Sequence, residues 1–138
     1  MSVHKAIRKA NAVLPGETVE ERHDPRWQAI IAVGEYVVSD PEAVWVFIHK
    51  WGGHEQEDLR MAIATCLLEH QLEYHFDAYF PKVQQAALAD PLFADTVRCC
   101  WRFGQAKEPA NSARLDALEK QLSRRVRRRS DANQGSDS

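Results

Sequence analysis

The 138-residue chain predicts an all-α fold on three observations. Asp-Pro occurs three times, at Asp24-Pro25, Asp40-Pro41 and Asp90-Pro91. An aspartate carboxylate accepts the orphan N–H groups of a first helical turn, and proline at the first position gives up only an N–H without an intrahelical partner. Apolar residues recur at helical spacing between these marks, and no stretch alternates apolar and polar residues as a half-buried strand does.

Each element follows from its own residues. Residues 3–13 form a weakly amphipathic helix with Val3, Ile7 and Ala10, closed by Pro15-Gly16. Residues 25–38 place Trp27, Ile30, Ile31, Gly34, Val37 and Val38 on one face. Residues 41–51 do the same with Val44, Trp45, Ile48 and Trp51, and Gly52-Gly53 ends that helix, glycine accepting the left-handed conformation a helix end uses. Residues 55–74 open with Glu55, Glu57 and Asp58, favourable near a helix N-terminus, and carry a stripe of Leu59, Ile63, Cys66, Leu67, His70 and Tyr74. A short helix over 82–89 is entered through Pro81, and residues 91–104 align Phe93, Val97, Cys100, Trp101 and Gly104. Residues 105–111 read as a polar linker. Ser112 then caps a last helix with a narrow stripe of Leu115, Leu118, Leu122 and Val126, and 130–138 read as a disordered tail.

Composition narrows the function classes. Hydrophobic residues are 44% and charged residues 28%, as in an ordinary globular chain. No apolar run approaches the ~20 residues that cross a bilayer. The opening MSVHKAIRKANAVLPG lacks an apolar signal core, so a cytoplasmic location and no membrane contact are expected. Three cysteines, Cys66, Cys99 and Cys100, fit a reducing compartment and lack paired zinc spacing; they read as small buried apolar residues. The net charge of −2 conceals an asymmetry: residues 1–16 carry +3, 17–79 carry −9, 80–118 carry +1 and 119–138 carry +3. An acidic body repels phosphate and favours a partner protein of basic character.

The sequence also repeats itself. Asp24, Arg26 and Glu35, with the small apolar run between them, recur as Asp58, Arg60 and Glu69 at an offset of 34. Asp95 and Arg98 make a looser third copy. Over residues 24–104 this pattern resembles the HEAT-like helical repeats, whose units are helix pairs with an aspartate and an arginine near the start of one helix. The resemblance implies a short α-α repeat stack. In it Arg26, Arg60 and Arg98 bond carboxylates or free carbonyls of an adjacent helix. Physical reasoning agrees, since a helix pair with one broad apolar face buries it only by stacking on a neighbour. The alternative architecture is a plain up-down helix bundle. On this reading 1–16 is an N-terminal helix, 17–104 the repeat domain and 105–129 a linker with a basic amphipathic helix.

Candidate binding residues are Trp51, beside a helix end, and Glu69, His70, Glu73 and His75 in the densest polar cluster. Carboxylates and imidazoles at three- and four-residue spacing share a helix face, where such groups can hold a metal. A di-iron bundle needs Glu-x-x-His twice, however, and the chain does not have it twice. Arg124, Arg125, Arg127, Arg128 and Arg129 form a basic run with no interleaved aromatic, which gives weak, sequence-independent contact with nucleic acid at most. No nucleophile elbow, phosphate loop or His-Glu-x-x-His appears. The expectation is a non-enzymatic protein-binding adaptor or scaffold without metal or cofactor. A second reading is a nucleic-acid-associated protein acting through its arginines. A third is a metal-dependent enzyme centred on 69–77.

Overall fold

The computed structural model describes residues 2–17 and 24–135, with side chains as far as Val126. It is all-α, and among the described residues there is no strand. The helices are α1 (Val3–Val13), α2 (Pro25–Gly34), α3 (Pro41–Trp51), α4 (Glu57–Ile63), α5 (Glu69–Tyr74), α6 (Phe76–Ala89), α7 (Pro91–Arg98) and α8 (Pro109–Gly135). One π-helical turn, Ala64–Leu68, joins α4 to α5 into a single rod, and a 3-10 turn, Gly104–Lys107, precedes α8.

The three Asp-Pro pairs open helices as the sequence implies. Asp24 accepts the Arg26 N–H, Asp40 that of Ala43 and Asp90 that of Leu92, each with proline at the first helical position. The α4–α5 rod sits centrally and touches α2, α3, α6 and α7, while α1 covers α2 and α3. Phe47, Phe76, Phe93, Ile30, Ile63 and Leu67 are fully enclosed between these helices. Trp45 meets Tyr79 and Phe93 ring to ring at 6.0 and 6.1 Å, which pins α3 to α6 and α7.

Several boundaries depart from the sequence reading, each for a physical reason. The second helix stops at Gly34 and continues as turns that leave Val38 exposed, and within the helix Ile31 faces out, its inward side being Ile30 and Val33. Gly52 is right-handed (φ −67°), so its role is closeness: a Cβ there would lie 2.7 Å from a Phe93 ring carbon. Helix α6 begins at Phe76, not at 82, and carries Pro81 inside on its exposed side. Its first N–H is satisfied from outside the helix, donating to Gln105 Oε1 at 2.8 Å. Helix α7 ends at Arg98, so Trp101 lies outside it and outside the core. Pro109 opens α8, with Ser112 inside the first turn accepting from Arg102 Nη1. Helix α8 runs to Gly135, so 130–135 are helical where disorder is expected from composition, and 136–138 lie outside the described residues.

The largest correction lies in the central rod. A π-turn inserts one extra residue into a helix and so shifts everything after it around the axis. Before the turn Leu59 and Ile63 face inward as the α-period implies. Within it Leu67 and Leu68 are buried and Cys66 is half-buried; after it Glu69, Gln71 and Leu72 are buried, while His70 is half-buried and Tyr74 is exposed. The rod therefore turns a carboxylate inward and an imidazole and a phenol outward.

Candidate functional site

Three of the repeated residues, Asp24, Arg26 and Asp58, meet in an ion cluster in which Asp24 and Arg26 are buried and Asp58 is partly exposed. Arg26 bonds Asp24 at 2.7 Å and Asp58 at 2.8 Å, and its Nη1 donates to the Pro15 carbonyl at 3.3 Å. The hydrogen bonds from Arg26 hold the Asp24 carboxyl below its ordinary range and, returned by Asp24, push the guanidinium above its own. Arg60 donates to the carbonyls of His54 and Glu55 at 2.8 and 2.9 Å, closing the turn before α4. Arg98 pairs with Asp95 on its own helix instead. Arg26 and Arg60 are thus tied up in the fold, while Arg98 makes an exposed pair within its helix.

A different surface gathers chemistry. The connection between α7 and α8 is an extended strap that lies lengthwise along α5, and four contacts fix its course. The Trp101 N–H donates to Glu69 Oε2 at 3.0 Å. The Phe103 ring stacks on His70, with centroids 6.1 Å apart and planes 11° from parallel. Gly104, at φ +50°, passes so close to Glu73 that a Cβ would fall 2.9 Å from its carbonyl oxygen. Gln105 donates to the Tyr74 carbonyl at 2.9 Å while accepting from Phe76, so it bridges the break between α5 and α6 at His75.

Under the strap the titratable groups form a line. Nδ1 of His70 lies 2.8 Å from Glu73 Oε1, and Nε2 lies 3.7 Å from Glu69 Oε1. Glu69 is only 6% exposed, and burial pushes its carboxyl above the ordinary range. Burial likewise raises the thiols of Cys66 and Cys100, whose neighbour Glu69 raises them further. Raised thiols are poor nucleophiles at neutral pH. All three cysteines are half-buried, less enclosed than the sequence reading has them.

Three aromatic rings on or beside the strap are exposed. Trp101 is 72% exposed, Tyr74 47% and Phe103 37%. Tryptophan is enriched among the residues that carry binding energy at protein interfaces, where its large rigid ring is covered. The Trp101 backbone is held by Glu69 while its ring is free, which is a fixed anchor.

Of the residues that the sequence singles out, Glu69, His70 and Glu73 come together here. His75 does not: its Nε2 lies 3.0 Å from the Val37 carbonyl, and its ring packs edge-on to Tyr79. Trp51 is buried against α1, donating its indole N–H to Asn11 at 2.8 Å, so it is no surface anchor. Arg124 is exposed, and Arg125 donates to the Leu88 carbonyl. The side chains of Arg127, Arg128 and Arg129 lie outside the described residues. Sequence reading placed Trp101 and Gly104 on the stripe of a helix over 91–104 and passed over Phe103; the run Trp101-Arg-Phe103-Gly104 just past a helix end is the signal that could have found the strap.

Among the described residues no three His, Cys, Asp or Glu side chains are grouped to hold a metal ion, and no helix is long and apolar enough to cross a membrane. No family model matches the chain, and neither a curated protein nor a solved structure does.

Proposed function

We propose that the chain is a cytoplasmic, non-enzymatic adaptor that binds another protein through the strap face, built on a short stack of HEAT-like helix pairs. The observation that carries the reading is Trp101, anchored through its backbone and open through its ring. Phe103, stacked on the Glu73-bound His70, and Tyr74 at the end of α5 are also exposed, and an aromatic anchor with polar neighbours is the make-up of a protein-binding surface. The excess of carboxylates over residues 17–79 favours a partner segment that carries Lys or Arg. The stack reading is supported by Arg26, which joins the aspartates of two successive repeat copies, Asp24 and Asp58.

The test compares what three baits capture from the source cell: the natural chain, Trp101→Ala with Phe103→Ala, and a chain with its five arginines at 124, 125 and 127–129 changed to Gln. The proposal expects proteins held by the first and third baits and lost by the second. Capture that survives loss of both aromatics contradicts it. Capture that depends on the arginines alone moves the site to the basic helix.

A further inference from the structure

Away from the strap, helices α3 and α6 enclose a groove. Trp45 and His49 of α3 form one wall, and Lys82, Gln85, Ala86 and Ala89 of α6 form the other. The spacing makes these walls: positions 45 and 49 are one helical turn apart, and 82, 85, 86 and 89 follow one another at three or four residues along a single face. The groove holds about 460 Å3, within the range of small-molecule sites. Among the described residues no aspartate or glutamate lines it.

Two side chains here are more than nine-tenths buried and yet keep a polar end open. Trp45 is 8% exposed and Tyr79 7%, and neither hydrogen-bonds another described residue. Among the described residues Gln71 Oε1 is the enclosed side-chain polar atom without a partner, so the Trp45 indole N–H and the Tyr79 hydroxyl both reach solvent. The Trp45 ring packs on His49, Tyr79 and Phe93, which leaves an edge for the groove. A buried tryptophan normally pairs its N–H, as Trp51 does with Asn11. Trp45 instead holds a donor open at a fixed place. The Lys82 ammonium is held beside it, 5.4 Å from the Tyr79 ring centroid, and makes no ion pair with another described residue. Burial, with Glu42 and Asp40, keeps the Tyr79 hydroxyl above the usual phenol range and so a donor, but neither carboxylate lines the groove.

We propose that this groove binds a small carboxylate with an aryl body, its oxygens taking the Trp45 N–H and the Lys82 ammonium and its ring lying against Ala86 and Ala89. Donors face the groove without a competing acid, which selects an anionic acceptor. A carboxylate has lone pairs for both donors at once, and bonds to an ionised partner are about twice as strong as neutral ones. The methyl side chains of Ala86 and Ala89 leave room for a flat apolar ring between the helices. No residue of the strap face takes part, so this inference and the protein-binding reading stand or fall separately.

The test is a titration of the isotopically labelled full chain with sodium phenylacetate at constant ionic strength, read from the indole N–H signals in proton–nitrogen correlation spectra. Trp45→Phe identifies the Trp45 signal by its loss. That signal is expected to shift and saturate with a dissociation constant on the order of 1–10 mM, as suits a ligand of this size. Phenylacetamide, the neutral counterpart, is expected to bind at least about threefold more weakly. Acetate, which lacks the ring, is expected to leave the signal near its free position. Lys82→Gln changes an exposed residue, and an otherwise unchanged spectrum shows that it is folded. It is expected to bring phenylacetate down to the affinity of phenylacetamide. No saturating shift of the Trp45 signal by about 50 mM overturns the inference. So do equal affinities for the acid and the amide, binding that Lys82→Gln leaves unchanged, or a shift confined to the Trp101 signal.

Discussion

Arg26 and Glu69 stand at equivalent depth in the fold and have opposite effects on it. Arg26 and Asp24 are both buried, and removing one partner strands the other's charge. Arg26→Met is expected to cost about 3–5 kcal/mol in urea unfolding, with part of the loss recovered when Asp24→Asn is added. Glu69 is costly instead. Its carboxyl is raised in the folded chain, so its contribution to stability is present below the unfolded value and lost as pH rises through the folded one. Glu69→Gln keeps an oxygen to accept the Trp101 N–H and removes the charge. Its melting temperature is therefore expected to match or exceed that of the natural chain at pH 7, with the advantage shrinking toward pH 4. A variant that is less stable at pH 7 than at pH 4, relative to the natural chain, contradicts that account. A buried acid that lowers stability at neutral pH yet positions an exposed tryptophan is consistent with a site kept for binding.

Among the elements, the strap is the part most dependent on a single residue. Gly104 adopts a positive φ against the Glu73 backbone, where a side chain meets both strain and contact. Gly104→Ala is expected to cost about 1–3 kcal/mol. Amide exchange is expected to quicken over 101–106 and to stay unchanged in α2 and α3. The starts of α2, α3 and α7 were legible because Asp-Pro acts locally, through a carboxylate and an N–H two or three residues apart. The start of α6 was not, because its first N–H is met by Gln105, and two features of the site were hidden as well. The π-turn at 64–68 has no local signature, and it moved the buried stripe from His70 and Tyr74 onto Glu69 and Gln71. The end of α7 was hidden because Cys100, Trp101 and Gly104 keep helical spacing past it, while the Trp101 N–H finds its acceptor on Glu69, 32 residues away. The half of the site on α5 was therefore readable as a polar cluster. The aromatic half depended on long-range contacts that spacing does not encode.

Across the whole molecule, charge is divided between an acidic body and basic ends, and α8 carries one of those ends away from the strap. If nucleic acid binds at all, only the five arginines of α8 have the charge to hold it, and five phosphate contacts give a salt slope of about −4 to −5 on duplex DNA. Titrations by fluorescence anisotropy are expected to show that slope without sequence preference, and to lose all binding in the five-arginine variant. The central claim is that proteins dock on the strap face, and site-specific photo-crosslinking tests it most directly. A photoreactive amino acid is placed at Trp101 in one chain and, as a control of similar exposure on α3, at Val46 in another. Protein–protein adducts are expected from position 101 and not from position 46. Adducts from 46 with none from 101 would show that the binding surface lies elsewhere.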